Sequence, residues 1–465
     1  MIRSIGPKGE HDMTVVDVHC HTFNADDLPV KGFVKRVVGN RRALVRAIGW
    51  SLDKVVQDMS SGAEENEELD RLLMSGPGSF EADEEPVMTQ VEVEADMMLE
   101  ELEREDPALA EEAGQEAARD PGSHTDEGGE PGEEGILDTL GDLRRYMKWA
   151  ALFGKDRLAL TRALIDLYQE VDLFTPMLVD FQGLEDTPKT TVLEQLELQE
   201  KISRLGVLGH LDAQVLPFVG FDPRRLGALP VVREAVRSYG CVGVKMYPPM
   251  GFLPFGNRDH PPYRMSHEDA LGVDAALAEM YDWCSAEQVP ITAHSNASNY
   301  ADDSFRDHSQ PANWQRVLER WPDLHLNLGH FGWGSRDRGW PDSISELMAT
   351  FAGLYADIGN HELADLEETT TELARLFDGA STGTVRERFM FGTDWFMVAS
   401  HRDFEEFLHR VRSAFAARFS DDVDRFMGGA ALSFLGFDDP DNANNQRMRE
   451  RYQILGVERP EWLAA

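Results

Sequence analysis

The sequence predicts an α/β protein, a (β/α)8 (TIM) barrel with a long acidic insertion after its first strand. Three observations carry that expectation. Eight short apolar runs fall near 14–19, 175–180, 214–220, 242–247, 290–294, 325–330, 353–357 and 388–394. Stretches of helical periodicity, such as 230–239, 270–287, 313–320 and 342–351, separate most of them, so strands alternate with helices and a parallel sheet is implied. The first connection takes about 150 residues, where a unit of this fold needs about 30. A doubly wound open sheet is the alternative, weakened because no Gly-rich fingerprint follows the first strand.

The first run, 14–19, feeds Asp17-Val18-His19-Cys20-His21. The excess after it has three parts. Residues 31–56 form a basic amphipathic pattern, 62–135 an acidic arm, and 136–170 a second helical stretch. The arm holds 26 acidic and 3 basic side chains, net −23 of the chain's −39. Rich in Glu, Gly and Pro, it reads as disordered over most of its length, with a transient helix at 87–102, because little apolar surface is there to offset the ordering entropy. The division expected is a barrel over 13–30 and 171–465, a helical cap over 31–61 and 136–170, and the arm over 62–135. Residues from 402 onward, with 428–435, read as closing helices outside the barrel.

The charge balance of 84 Asp plus Glu against 45 Lys plus Arg opposes nucleic-acid binding, which needs the opposite field. Three cysteines, Cys20, Cys241 and Cys284, cannot build a disulfide framework in a chain of this size, so a reducing, cytoplasmic setting is expected. No signal-peptide pattern opens the sequence, and no apolar run reaches the roughly 18 residues of a membrane span. A homodimer stays open.

Chemistry concentrates at the ends of strands. Residues 17, 19 and 21 share one face of the first strand, and two imidazoles so spaced can reach one metal ion. His294, His330 and Asp394 end the fifth, sixth and eighth strands. In a barrel these ends converge on one mouth, where active sites are built. One His-x-His is a weak signal; five metal-competent residues at four strand ends are a stronger one.

On these residues the chain resembles the amidohydrolase superfamily of metal-dependent hydrolases: Asp17–His21, His294, Gly329-His-Phe-Gly, and Gly392-Thr-Asp-Trp395. Pro217-Phe-Val-Gly-Phe-Asp-Pro-Arg224 and Val242-Gly-Val-Lys-Met-Tyr-Pro248 are similar to the branch containing aminocarboxymuconate-semialdehyde decarboxylase. The resemblance spans residues 13–436 apart from the insertion. One departure is Gly429-Ala430-Ala431, where relatives often have Gly-x-Asn-Ala. The resemblance implies a divalent cation, most often zinc, and Asp394 as proton shuttle, which agrees with the preference of imidazole and carboxylate for such ions. With one metal, His19, His21, His294 and Asp394 are the expected ligands and His330 polarises substrate; with two, His294 and His330 hold the second. Lys245 separates the options, either carboxylated to bridge two ions or pairing with an anionic substrate. Ligand chemistry favours one ion.

Tyr247, Arg224, Asn296, Trp333, Arg336 and Trp395 lie beside strand ends as candidate substrate contacts, each with a packing explanation beside it. Asp17 is expected to orient a ligand histidine, and Asp180 either to line the pocket or to cap a turn. The remaining histidines, His11, His124, His308, His325, His361, His401 and His409 among them, read as structural or surface residues. The expected function is hydrolysis of a C–N, C–O or lactone-type bond in a small molecule by a metal-activated water. Non-oxidative decarboxylation of an unsaturated or aromatic acid is the alternative. A non-catalytic scaffold whose acidic arm recruits a partner is the reading from another class.

Overall fold

Short runs rich in Val, Leu and Phe, apolar on both faces, suit parallel strands covered on both sides, and all strands here pair in parallel. The computed structural model describes residues 13–57, 59–75, 85–118, 133–184, 186–333, 339–379 and 385–465. One sheet has the order β1-β2-β3, made of Val16–Cys20, Leu173–Pro176 and Gln214–Val215. The other runs β4 to β9 in sequence: Phe218–Phe221, Gly243–Met246, Ile291–His294, Leu326–Gly329, Leu354–Asp357 and Phe389–Met390. The protein is thus α/β with parallel sheets.

Where one strand is expected over 214–220 there are two, because Pro217 lacks an N–H for the ladder and separates β3 from β4. A parallel bridge from Met177 to Phe218 and the bond from Leu178 N to Phe218 O at 3.0 Å join the two sheets there. At the opposite edges, Val18 N donates to Phe391 O at 3.2 Å and Asp394 N to His19 O at 2.7 Å. The C-terminal segment packs close to β1. A Cβ on Gly428 would lie 1.8 Å from Thr14 O, so no side chain fits at that approach.

Helices follow the strands of the second sheet: α9 (Ala228–Ser238), α10 (His267–Glu287), α11 (Pro311–Arg320), α12 (Trp340–Thr350) and α13 (Leu366–Gly379). The closing helices expected after residue 402 are α14 (Phe407–Arg418), α15 (Ala430–Leu435) and α16 (Ala443–Leu455). Among the described residues, no helix is long and apolar enough to cross a membrane.

Among the described residues between β1 and β2 lie seven helices: α1 (Val30–Val38), α2 (Arg42–Val55), α3 (Gly62–Met74), α4 (Val87–Glu105), α5 (Pro107–Ala118), α6 (Glu133–Leu152) and α7 (Arg157–Leu167); α8 (Val192–Val207) follows β2. The disorder expected over most of 62–135 is therefore corrected for α3, α4 and α5. Two physical reasons account for the difference. Val91, Ala95, Met98 and Leu102 form a stripe at helical spacing, and α4 buries it. The acidic side chains find cations on the basic flanks: Glu101 meets Lys54 at 2.8 Å, Glu92 meets Lys148 at 2.9 Å, Glu94 meets Lys155 at 2.6 Å, and Asp96 meets Arg144. Net charge read alone hides both effects. The start of α3 carries a reciprocal capping box between Ser61 and Glu64. Deeper in, the buried Arg157 guanidinium joins Asp27, after β1, to Glu65, on α3, at 2.5 Å each.

Candidate metal centre

Parallel strands bring their carboxyl ends to one side, and the titratable residues collect there. His19 lies on β1 with His21 just past it; Lys245 is on β5, His294 ends β6, His330 follows β7, Asp357 ends β8 and Asp394 follows β9. Each is at most 5% exposed. His19, His330 and Asp394 offer ligand atoms all within 4.8 Å of one another. His21 Nε2 lies 3.2 Å from Asp394 Oδ1, and His19 Nε2 lies 3.5 Å from the same oxygen.

Three imidazoles have their far nitrogen anchored. His21 Nδ1 donates to Met177 O at 2.8 Å and His330 Nδ1 to Gly359 O at 2.9 Å. Both acceptors are carbonyls, so Nδ1 carries the proton and Nε2 keeps its lone pair. His19 Nδ1 faces Asp357, 3.1 Å from Oδ1 and 3.0 Å from Oδ2, which leaves its Nε2 toward the cluster, 2.8 Å from Lys245 Nζ. This pattern is how ligating histidines are held in metal sites. His294 differs: its Nδ1 is 3.1 Å from His330 Nε2 and its Nε2 is 3.4 Å from Ser298 Oγ.

Burial holds the His19 imidazole down at about 4, and Lys245 adds to that, against the pull of Asp357. Burial and the neighbouring His330 push His294 well below its ordinary value. Both rings are neutral at pH 7, as metal binding requires. Burial lowers the Lys245 amine to about 8. Burial alone would raise Asp394, but the hydrogen bond with His21 and the nearby His19 and His330 outweigh it, and the carboxyl sits at about 2. Asp357, opposed by burial but bonded to His19 and Asn327, is held far below the usual carboxylate range.

Asp17 does not orient a ring. Its carboxylate receives Thr393 Oγ1 at 2.6 Å, Thr393 N at 3.0 Å and His19 N at 3.2 Å, and burial raises it to about 7. The residue that orients His19 is Asp357, which sequence reading missed. The signal was present, since Leu354-Tyr-Ala-Asp357 ends a strand by the same rule that singled out His294.

Above the cluster is a cavity of 20 Å³, lined at its base by His21, Lys245, His294, His330 and Asp394. Its walls are Phe23, Phe33, Phe181, Tyr247 and Met397, with Asn299 and Asn360 as further polar members. Tyr247 therefore sits where a substrate contact is expected, stacked on His294 at 4.1 Å. Arg224 does not line this cavity. Its guanidinium is held by Asp222, Met250 O and Gln182 O, and it faces a separate groove of 1080 Å³ that contains no histidine. Asn296 accepts from Ser298 N at 3.1 Å, and Trp333 Nε1 donates to His361 at 3.1 Å; neither lines the cavity. Trp395 is fully buried in the packing beside Phe396 and Phe404. Asp180 pairs with Arg225 at 2.6 Å and receives Asp222 N, a turn-holding role. Arg336 lies outside the described residues.

The strands that present Lys245, His294, His330, Asp357 and Asp394 all fall within one stretch recognisable from other proteins. Residues 209–437 match the amidohydrolase family model. That segment marks an enzyme of the amidohydrolase type, a metal-dependent family. The amidohydrolase match takes in β3 to β9 but not β1 or β2, so His19 and His21 join it through the geometry above. No curated protein matches the chain. Among solved structures, an amidohydrolase from Burkholderia multivorans with bound zinc is 16% identical over 59% of this chain and 87% of its own, with a TM-score of 0.40. A putative metal-dependent hydrolase from Lactobacillus casei is 12% identical over 95% and 96%, TM-score 0.40. A probable 2-pyrone-4,6-dicarboxylic acid hydrolase from Acinetobacter baumannii is 11% identical over 60% and 90%, TM-score 0.38.

Proposed function

We propose that the protein is a metal-dependent hydrolase of a C–N, C–O or lactone-type bond in a small molecule, built on a (β/α)8 barrel. One observation carries the reading: imidazole Nε2 atoms with anchored Nδ1 atoms converge on the Asp394 carboxylate at the carboxyl ends of parallel strands. The bonds from Val18 and Asp394 to β9 and β1 neighbours, with the Met177–Phe218 bridge, support barrel closure.

The donor set of neutral imidazoles and one carboxylate fits a zinc-like ion. His19, His21 and Asp394 would hold it, with one member of the His294–His330 pair completing the shell and the other facing substrate. Bound there, a single ion supplies a Lewis acid and acidifies a water. Asp394 is ionised at neutral pH, so its carboxylate can take the proton of the attacking water and return it to the leaving atom. His330 keeps its Nδ1 proton on Gly359, so its Nε2 acts as an acceptor or ligand. Lys245 is hydrogen-bonded to His19 Nε2; with that nitrogen engaged by an ion, its amine would be free to face a substrate anion.

The test is to load the full-length protein with Zn²⁺ or Mn²⁺ and assay small lactones, esters and amides. Turnover of at least one class is expected, lost with chelator and restored by metal. A fully loaded protein that hydrolyses none of them would refute the proposal.

A further inference from the structure

The cavity of 20 Å³ holds about one water molecule, so any organic substrate needs the wall to move. Rings make up much of that wall and close a circuit around the cluster, with Val179, Met397, Asn299 and Asn360 completing the lining. His21 meets Phe23 at 5.0 Å between centroids, Phe23 meets Phe33 at 6.1 Å, and Phe33 stacks on Phe181 at 5.8 Å. Phe181 meets Tyr247 at 4.8 Å, and Tyr247 stacks on His294 at 4.1 Å. His294, His330, His19 and His21 close the circuit at 4.8, 4.7 and 5.6 Å.

Seven of these eight rings sit on strands or on the segments directly following them. Phe33 alone comes from a helix of the insertion, α1, which lies between Pro29 and Gly39. It is 3% exposed. Besides its buried face of Phe33, Val34 and Val38, α1 is tethered to the mouth by polar contacts: Asp186 receives the N–H groups of Lys31 and Gly32 at 3.2 and 3.1 Å, and Arg36 reaches Ala301 O at 2.8 Å and Asp303 at 3.3 Å. Exposed polar contacts of this kind separate more readily than the sheet does.

We propose that Phe33 is the specificity-determining residue of this site, the one side chain whose size and displacement set which molecules reach the cluster. Its neighbours in the circuit are fixed by the sheet, so shortening Phe33 opens the cavity without moving a ligand residue. The circuit is apolar and aromatic opposite the donors, which suits a substrate with a flat or apolar portion beside the scissile bond. The substrate arm of the test rests on the hydrolase reading; a second arm does not.

The second arm uses diethyl pyrocarbonate on the metal-free, full-length protein, with carbethoxylation of His21, His294 and His330 followed by peptide mass spectrometry. Phe33→Ala should speed modification of these three about tenfold or more, and Phe33→Leu by an intermediate factor, with His325, outside the circuit, as internal reference. The substrate arm compares phenyl acetate, butyrate and hexanoate on zinc-loaded protein, where Phe33→Ala should raise kcat/KM for hexanoate relative to acetate about tenfold. Equal labelling rates in wild type and both variants would overturn the proposal, as would a uniform rate change across the ester series. If Phe33→Ala does not fold, Phe33→Leu decides on the same readouts. If no lactone, ester or amide is hydrolysed but labelling rises as stated, the hydrolase reading fails and the role of Phe33 stands.

Discussion

Asp357 shows how a residue outside the cavity can orient one in the cluster below it. Its carboxylate accepts from His19 Nδ1, Asn327 Nδ2, His330 N and Gly359 N, so one side chain orients the His19 ring and holds the backbone at His330. Asp357→Asn should weaken metal binding about 10–100-fold, read by competition with a chelator, while the thermal midpoint of the metal-free protein moves less. Asp394→Asn, assayed at metal concentrations that keep the site loaded, should lower kcat about 10²–10⁴-fold; normal turnover would remove its proton-transfer role. His308 gives a pH signature away from the cluster. Burial, with Arg224 nearby, holds its imidazole down at about 4 despite its backbone partners and Asp307. The unfolded chain protonates near 6.5, so this contribution is full above pH 6.5 and is lost as pH falls toward 4. Urea unfolding at pH 7 and 5 should show His308→Gln losing about 2 kcal/mol less than wild type over that interval. At this scale the strand-end histidines and Asp394 are legible from sequence, because alternation and strand ends locate them. Asp357 escapes because an acidic residue at a strand end reads equally as a terminator, and Arg224 misleads because nothing in the sequence shows that Asp222 and two carbonyls occupy its guanidinium.

Among the elements, α4 is the one whose sequence reads least like its structure. Composition averages over a helix and erases the difference between its faces, whereas Val91, Ala95, Met98 and Leu102 point one way and Glu92, Glu94, Asp96 and Glu101 meet cations on neighbours. The helix is stabilised by its buried stripe first and by ion pairs second, since exposed pairs contribute about 0–1 kcal/mol each. Leu102→Ala should therefore destabilise the insertion by about 2–5 kcal/mol, while Lys148→Gln should cost less than about 1 kcal/mol and the difference should shrink further in 1 M salt. Denaturant midpoints at low and high salt separate the two. A larger loss from Lys148→Gln than from Leu102→Ala would reverse the order argued here. The split of one expected strand into β3 and β4 is a smaller case of the same kind: Pro217 is visible in the sequence, but whether the chain continues or breaks there depends on Met177 and Phe218 meeting across it.

For the whole molecule, the expected alternation of strands and helices and the gathering of functional residues at one end are legible because both follow from period and punctuation. The lie of the insertion is not, since it depends on pairs such as Arg157 with Asp27 and Glu65, which are 130 and 92 positions apart. The same long-range character governs how the site comes into being. His19 leaves the ribosome 375 positions before its partner Asp394, which is brought beside it by the bond from Asp394 N to His19 O. A nascent chain that has not yet emitted β9 holds histidines without their carboxylate, and pairings of such separation form late and slowly. On the proposed hydrolase reading, ion capture would come last, and tight retention of an ion would report that translation ran past residue 394 and that the segments after β1 and β9 have met.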